Sequence, residues 1–164
     1  MKLTQYSDLG LRLLMYLALH KDELLTLRQV SDQFGISKNH LVKISHQLTK
    51  TGLIESVQGR NGGVRLARAA ETISVEAALR ATEDNFDLVE CFDTARNHCV
   101  ISGSCKLSTV FEEALAAFFG VLRQASLADL VTNRQAIETA LLAYSPTQPI
   151  KFNEKKPDIA AAVA

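Results

Sequence analysis

The spacing of apolar positions changes character several times along the chain, and each change marks an element. Tyr6, Leu9, Leu13, Leu14, Leu17 and Ala18 recur at intervals of three and four, so Thr4 to His20 is predicted as an amphipathic helix. Thr26 offers a capping oxygen, and Gln29 three residues on completes a capping box for a helix Leu27 to Phe34, stopped by Gly35. Ser37 is predicted to cap a second helix, Lys38 to Thr51, which ends at Gly52. Two short helices joined by Gly35-Ile36-Ser37 make a helix-turn-helix pattern. In the second of them Leu41, Val42, Ile44 and Leu48 are expected to face the core. That leaves Lys38, Asn39, His40, Lys43, His46, Gln47 and Lys50 facing outward.

Two β-prone runs follow, Leu53 to Val57 and Val64 to Leu66, around the Gly-rich stretch Gln58 to Gly63. A hairpin directly behind a recognition helix reads as a wing. Ser74 is predicted to cap a further helix, Val75 to about Glu83, and residues 84–106 lack helical periodicity and read as a loop. A long helix follows, about Leu107 to Ala125, with Leu107, Phe111, Leu115, Phe118 and Leu122 in one stripe, widened by Val110, Ala114, Phe119 and Val121. A helix this apolar must bury most of its circumference, more than the small N-terminal domain can cover. A second copy of the chain is the expected partner, through Val110, Phe111, Ala114, Leu115, Phe118 and Leu122; the alternative is a helix folded back on its own domain. After Val131 the pattern fades, and Pro146, Pro149 and Pro157 suggest a loosely ordered tail.

The expected fold is therefore mainly α with a small β-hairpin wing. It comprises a winged helix-turn-helix domain (1–83), a cysteine loop (84–106), a dimerisation helix with a short following helix (107–131) and the tail (132–164). Of the 164 residues 47% are hydrophobic, which supports a packed core and argues against global disorder. The apolar stretch Leu9 to Leu19 is broken by Gly10 and Arg12 and is too short to cross a bilayer. Its flanks do not suit a signal peptide, so a cytoplasmic protein without membrane contact is expected.

Overall charge is balanced but its distribution is not. Residues 26–70 carry seven Lys/Arg against two acids, a net of +5, whereas residues 71–131 carry four against ten, a net of −6. The first block suits a polyanion. Asn39 and His40 lie in the first turn of the second helix, where side chains reach base edges in the major groove, with Ser37 beside them. Lys38, Lys43 and Lys50 suit phosphates, and Arg60, with Asn61 and Arg65, gives the wing a cationic tip able to enter a minor groove. The target expected is double-stranded DNA.

All three cysteines, Cys91, Cys99 and Cys105, lie within fifteen residues. Their spacing lacks the close Cys-x2-Cys pairs of zinc ribbons and the tight runs of ferredoxins. Thiolates accept iron–sulfur clusters or zinc, and a metal-free dithiol switch is a third use; spacing does not decide among them. Ser-His-Asp sets, phosphate-binding Gly loops and radical Cys-x3-Cys-x2-Cys motifs are absent, so an enzyme is not expected.

Several segments together resemble a known family. These are Met1 to Thr4, Asp8 to Arg12, Val30-Ser31, Ile36 to Ile44, the wing string Gly59 to Leu66, and the three cysteines. The chain is similar over residues 1–131 to the winged-helix iron–sulfur transcription regulators, and Ala128-Asp129-Leu130 resembles their nitric-oxide-sensing branch. That resemblance implies a homodimeric repressor on an inverted-repeat operator, carrying a cluster of the 4Fe–4S type in preference to 2Fe–2S. Nitric oxide would attack the cluster and release the DNA. The iron–sulfur assembly branch has a His ligand three residues after its third cysteine; here that position is Ser108. The resemblance to the nitric-oxide branch implies instead Asp8, donated by the partner subunit, with His98, Glu90 and Asp93 as competitors; Asp8 also suits a helix first turn by charge alone. Competing functions are a sibling regulator of redox state, oxygen or cluster supply, and a zinc-stabilised interaction protein.

Overall fold

The computed structural model describes residues 3–144. Seven helices and one hairpin are present among them: α1 (Gln5–Leu19), α2 (Leu27–Phe34), α3 (Lys38–Lys50), β1 (Ile54–Val57), β2 (Gly63–Leu66), α4 (Val75–Arg80), α5 (Lys106–Gln124), α6 (Leu127–Leu130) and α7 (Arg134–Ala143). The fold is mainly helical with a two-stranded antiparallel wing, as the pattern predicts.

Local chemistry sets the boundaries. Thr4 caps α1 by accepting from the Ser7 amide, and the Thr26/Gln29 capping box starts α2. Gly35 ends α2 in the left-handed region, φ 63°, which a glycine adopts without strain. Ser37 stands at the N-cap of α3 but makes no side-chain capping bond; its carbonyl takes the amides of His40 (3.0 Å) and Leu41 (3.1 Å) instead.

Leu9, Leu13, Leu14 and Leu17 of α1 form the centre of the core with Val30 of α2 and Leu41, Ile44 and Leu48 of α3. Val42 does not join them. It is 47% exposed, because Leu41, Ile44, Ser45 and Leu48 already complete the inward face of α3. The wing is tied back to the core by a short bridge between Leu25 and Val64, with bonds of 2.8 and 3.1 Å. A Cβ on Gly63 would stand 2.6 Å from the Leu25 carbonyl oxygen, so this approach requires glycine.

Helix α4 is shorter than predicted. It ends at Arg80, and Glu83 turns its carboxylate onto the start of α1, accepting from the Thr4 amide (2.7 Å) and hydroxyl (3.1 Å). Helices α4 and α5 are clamped by Glu76, whose carboxylate takes Arg80 (2.9 Å) and Arg123 (2.6 Å). The Arg80 guanidinium lies 3.9 Å from the Phe119 ring centroid. Hydrogen bonds from Arg123 and Arg80 hold the Glu76 carboxyl down to about 2. A carboxyl lowered on folding stabilises the fold above its unfolded value and loses that contribution as pH falls. The wild-type thermal midpoint should therefore drop between pH about 4.5 and about 2. Glu76→Gln should start lower at neutral pH and show less of that acid loss. Identical midpoint-versus-pH curves for the two proteins would mean that the clamp contributes nothing.

Part of the segment expected as a loosely ordered tail is helical. Ile137 and Leu141 lie on one side of α7, and the Leu141 carbonyl accepts from Gln33 of α2 at 2.7 Å. Ala136, Ile137, Ala140 and Leu141 carry three- and four-residue spacing in the sequence, but over ten residues only, next to a proline-bearing stretch that reads as tail. The part of the expected tail beyond Tyr144 lies outside the described residues.

Candidate DNA-binding face and cysteine loop

Helix α3 presents its polar face outward. Lys38, Asn39, Lys43, His46 and Lys50 are exposed, and His40 and Ser37 are half-buried at its start. No acid occurs in α3. Arg60 and Asn61 are exposed at the wing tip, next to Gly59 at φ 112°. Arg65 sits opposite Glu55 across the hairpin and pairs with it, so its charge is already partly answered. Of the cationic groups named from sequence, Lys38, Lys43, Lys50 and Arg60 are the ones the fold leaves exposed on one helix and one hairpin tip.

Helix α3 is also held from behind. Tyr6 of α1, buried, donates its hydroxyl to the Lys43 carbonyl at 3.0 Å. Burial, with the negative charge of Asp84, pushes the Tyr6 phenol up to about 12. The first turn of α1 thus touches two things at once: the middle of α3 through Tyr6, and the root of the cysteine loop through Thr4 and Glu83. Sequence periodicity marks Tyr6 only as a core residue and gives Glu83 no role.

The loop between α4 and α5 has two single 3-10 turns, Glu90–Phe92 and Ser102–Ser104. All three cysteines are unbridged and partly exposed. Glu90 Oε1 accepts the His98 amide at 2.6 Å, which sets the neighbours of Cys91 and Cys99 side by side. Cys99 donates its own amide to Asn97 (2.9 Å), and Cys105 is the N-cap residue of α5. Cys91 and Phe92 line an open cleft of about 780 Å³ against Leu115 and Phe119 of α5. Of the candidate fourth ligands, Glu90 is used within the loop, Asp93 pairs with Arg96 at 3.1 Å, and His98 is exposed. Asp8 is exposed on α1 and pairs with Arg12 at 2.8 Å. Among the described residues no three His, Cys, Asp or Glu side chains converge to hold a single metal ion. Within one chain the structure therefore does not bring the cysteines and Asp8 together as a small-ion site.

Helix α5 is largely uncovered. Phe119 is its one buried residue among those described, while Leu107, Val110 and Val121 are 57%, 57% and 69% exposed. Phe111, Leu115, Phe118 and Leu122 are half-buried, and Ala114 is exposed. An exposed apolar face of this length points to a missing partner surface.

The profile of the Rrf2 family, described as an iron-dependent transcriptional regulator, matches residues 3–133. The chain belongs to the Rrf2 family. The HTH-type transcriptional regulator NsrR of Halalkalibacterium halodurans is 49% identical over 147 residues, 89% of this chain and 100% of that protein. NsrR of Shouchella clausii is 48% identical over 149 residues, 90% of this chain and 99% of that one. Among solved structures, IscR of T. potens matches with a TM-score of 0.66 at 24% identity, covering 84% of this chain and 91% of that chain. The fold is therefore that of an Rrf2 winged-helix regulator, and the protein is a transcription regulator rather than an enzyme. Among the described residues no helix is long and apolar enough to cross a membrane.

Proposed function

We propose that this Rrf2 regulator is a dimeric DNA-binding repressor that responds to nitric oxide through a 4Fe–4S cluster on Cys91, Cys99 and Cys105. Asp8 of the partner subunit is the fourth ligand in this reading, and the operator is an inverted repeat. The high identity to NsrR-named regulators supports the class of signal. The donor set supports the cofactor: three unbridged, partly exposed cysteines in one loop offer the soft thiolates that iron–sulfur clusters take, and closure of the loop would accompany binding. Once bound, the cluster supplies the iron that nitric oxide attacks.

The observation that carries the proposal is the contact pattern of the first α1 turn. Glu83, at the root of the cysteine loop, holds Thr4; Tyr6, two residues on, holds the Lys43 carbonyl of the recognition helix. A change in the loop thus has a short hydrogen-bonded route to α3. Asp8 lies on the same turn of α1, so a tie from Asp8 to the partner's loop would act on the same lever. Lys38, Lys43 and Lys50 meet phosphates, Asn39 and His40 meet base edges, and Arg60 enters the minor groove.

The direct test is anaerobic. Purified protein should be coloured, bind its operator, and release it on addition of nitric oxide as the visible spectrum changes. A coloured protein whose operator binding ignores nitric oxide but responds to oxygen would assign it to a sibling sensor; a colourless, zinc-loaded protein would end the cluster reading. Tyr6→Phe should keep fold and colour but weaken operator binding by about two- to ten-fold, the worth of one hydrogen bond. Lys43→Ala should weaken binding to all sequences alike and lower the salt slope by about one. Wild-type affinity and slope in both variants would show that α3 is not the DNA-facing helix.

A further inference from the structure

Val42 is an apolar side chain on the polar face of α3. It is 47% exposed, whereas Leu41, Ile44 and Leu48 on the opposite face are at 0%. The core does not need it. A β-branched residue on a solvated helix surface is also a poorer helix former than Ala, Leu or Lys, so local propensity does not ask for it. Its place is specific: Asn39 and His46 stand three residues before and four after it, and Lys43 is adjacent. It falls in the N-terminal half of the helix, where a recognition helix meets bases.

We propose that Val42 reads a thymine, packing its methyl groups on the base's C5-methyl in the major groove. Among the four bases only thymine presents an apolar group there, and that methyl is the natural mate of a small aliphatic side chain. The charge around the position selects the occupant: Lys38, Lys43 and Lys50 lie on the same helix, which carries no acid, so a polyanion is the surface that approaches it. This inference rests on the DNA-binding reading and adds to it a residue that discriminates sequence without a hydrogen bond.

The test uses the full chain, purified without oxygen. Wild type first selects its preferred duplex from a random library, and each thymine of that duplex is then replaced in turn by deoxyuridine, which lacks only the methyl. Wild-type affinity should fall about four-fold at one thymine per half-site, the worth of one buried methyl-sized group. Val42→Ala should bind the parent duplex more weakly and be insensitive to uridine at that same thymine, with the other positions unchanged. If Val42→Ala keeps the wild-type uridine profile, or wild type shows no sensitive thymine, Val42 reads no base and the proposal falls while DNA binding stands. If wild type selects no sequence at all, the DNA-binding reading falls with it. Because Val42 is exposed and outside the core, the alanine variant is expected to fold.

Discussion

Alanine at any one of Cys91, Cys99 or Cys105 should abolish stable retention of iron and sulfide while the helices remain folded. Ligand loss is the harsher perturbation here, since even outer-shell substitutions typically cost 10- to 100-fold in metal affinity; removal of one of three thiolates should exceed about 100-fold. The fold should survive because all three cysteines lie in a loop outside the α1–α3 core and none is buried. Iron and acid-labile sulfide per chain, measured beside far-ultraviolet circular dichroism, separate the two effects. A cysteine variant with full iron and sulfide is not missing a ligand. Asp8→Ala belongs in the same series, with a milder expectation: a carboxylate is a harder, weaker donor to iron than thiolate, so this variant should keep a cluster with an altered spectrum and bind operator less tightly. If spectrum and affinity are both unchanged, Asp8 serves α1 and Arg12 alone.

Glutamate at both Val110 and Val121 should convert a dimer to monomers. These two side chains are exposed in the single chain, at 57% and 69%, so the substitutions cost little before association. In a two-fold dimer each counts twice. Four valines at roughly 1.5 kcal/mol each amount to about 6 kcal/mol, or about four orders of magnitude in the dissociation constant, before the cost of burying carboxylates. Sedimentation at micromolar concentration should show monomer. Phe111 and Phe118 would be less clean probes, because both are half-buried and Phe118 packs on Phe119 with ring centroids 5.4 Å apart. A double variant that remains dimeric would place the interface elsewhere than on α5.

Some features were legible along the chain because the forces that make them are local. The Thr26/Gln29 box, the stop at Gly35, the wing glycines and the stripe on α1 each act within a few residues, and all stand in the structure as the pattern predicts. The departures come from longer range. Ser37 has the residue type of a cap but no side-chain capping bond. Val42 matches the apolar set of α3, yet a helix face has room for only part of that set, and packing chose Leu41, Ile44 and Leu48. Helix α7 carries apolar positions, Ile137, Ala140 and Leu141 among them, but ten residues make a marginal helix alone; it is held in place by Gln33, whose side chain donates to the Leu141 carbonyl from 108 positions away in the chain.

The order of residues by itself determined a helix-turn-helix with a wing, a cationic segment followed by an acidic one, three thiols in one loop and an apolar helix needing cover, because periodicity, capping and charge are properties of neighbours. Tertiary structure decided which of these parts touch. Glu83 reaches Thr4 across 79 positions, Tyr6 reaches Lys43 across 37, and Glu76 gathers Arg80 and Arg123 from two helices. It also decided that Arg65 is spent on Glu55 while Arg60 is not. Hydrogen bonds and ion pairs act over about 3 Å of space regardless of separation in sequence, so their partners exist only once the core has brought the helices together.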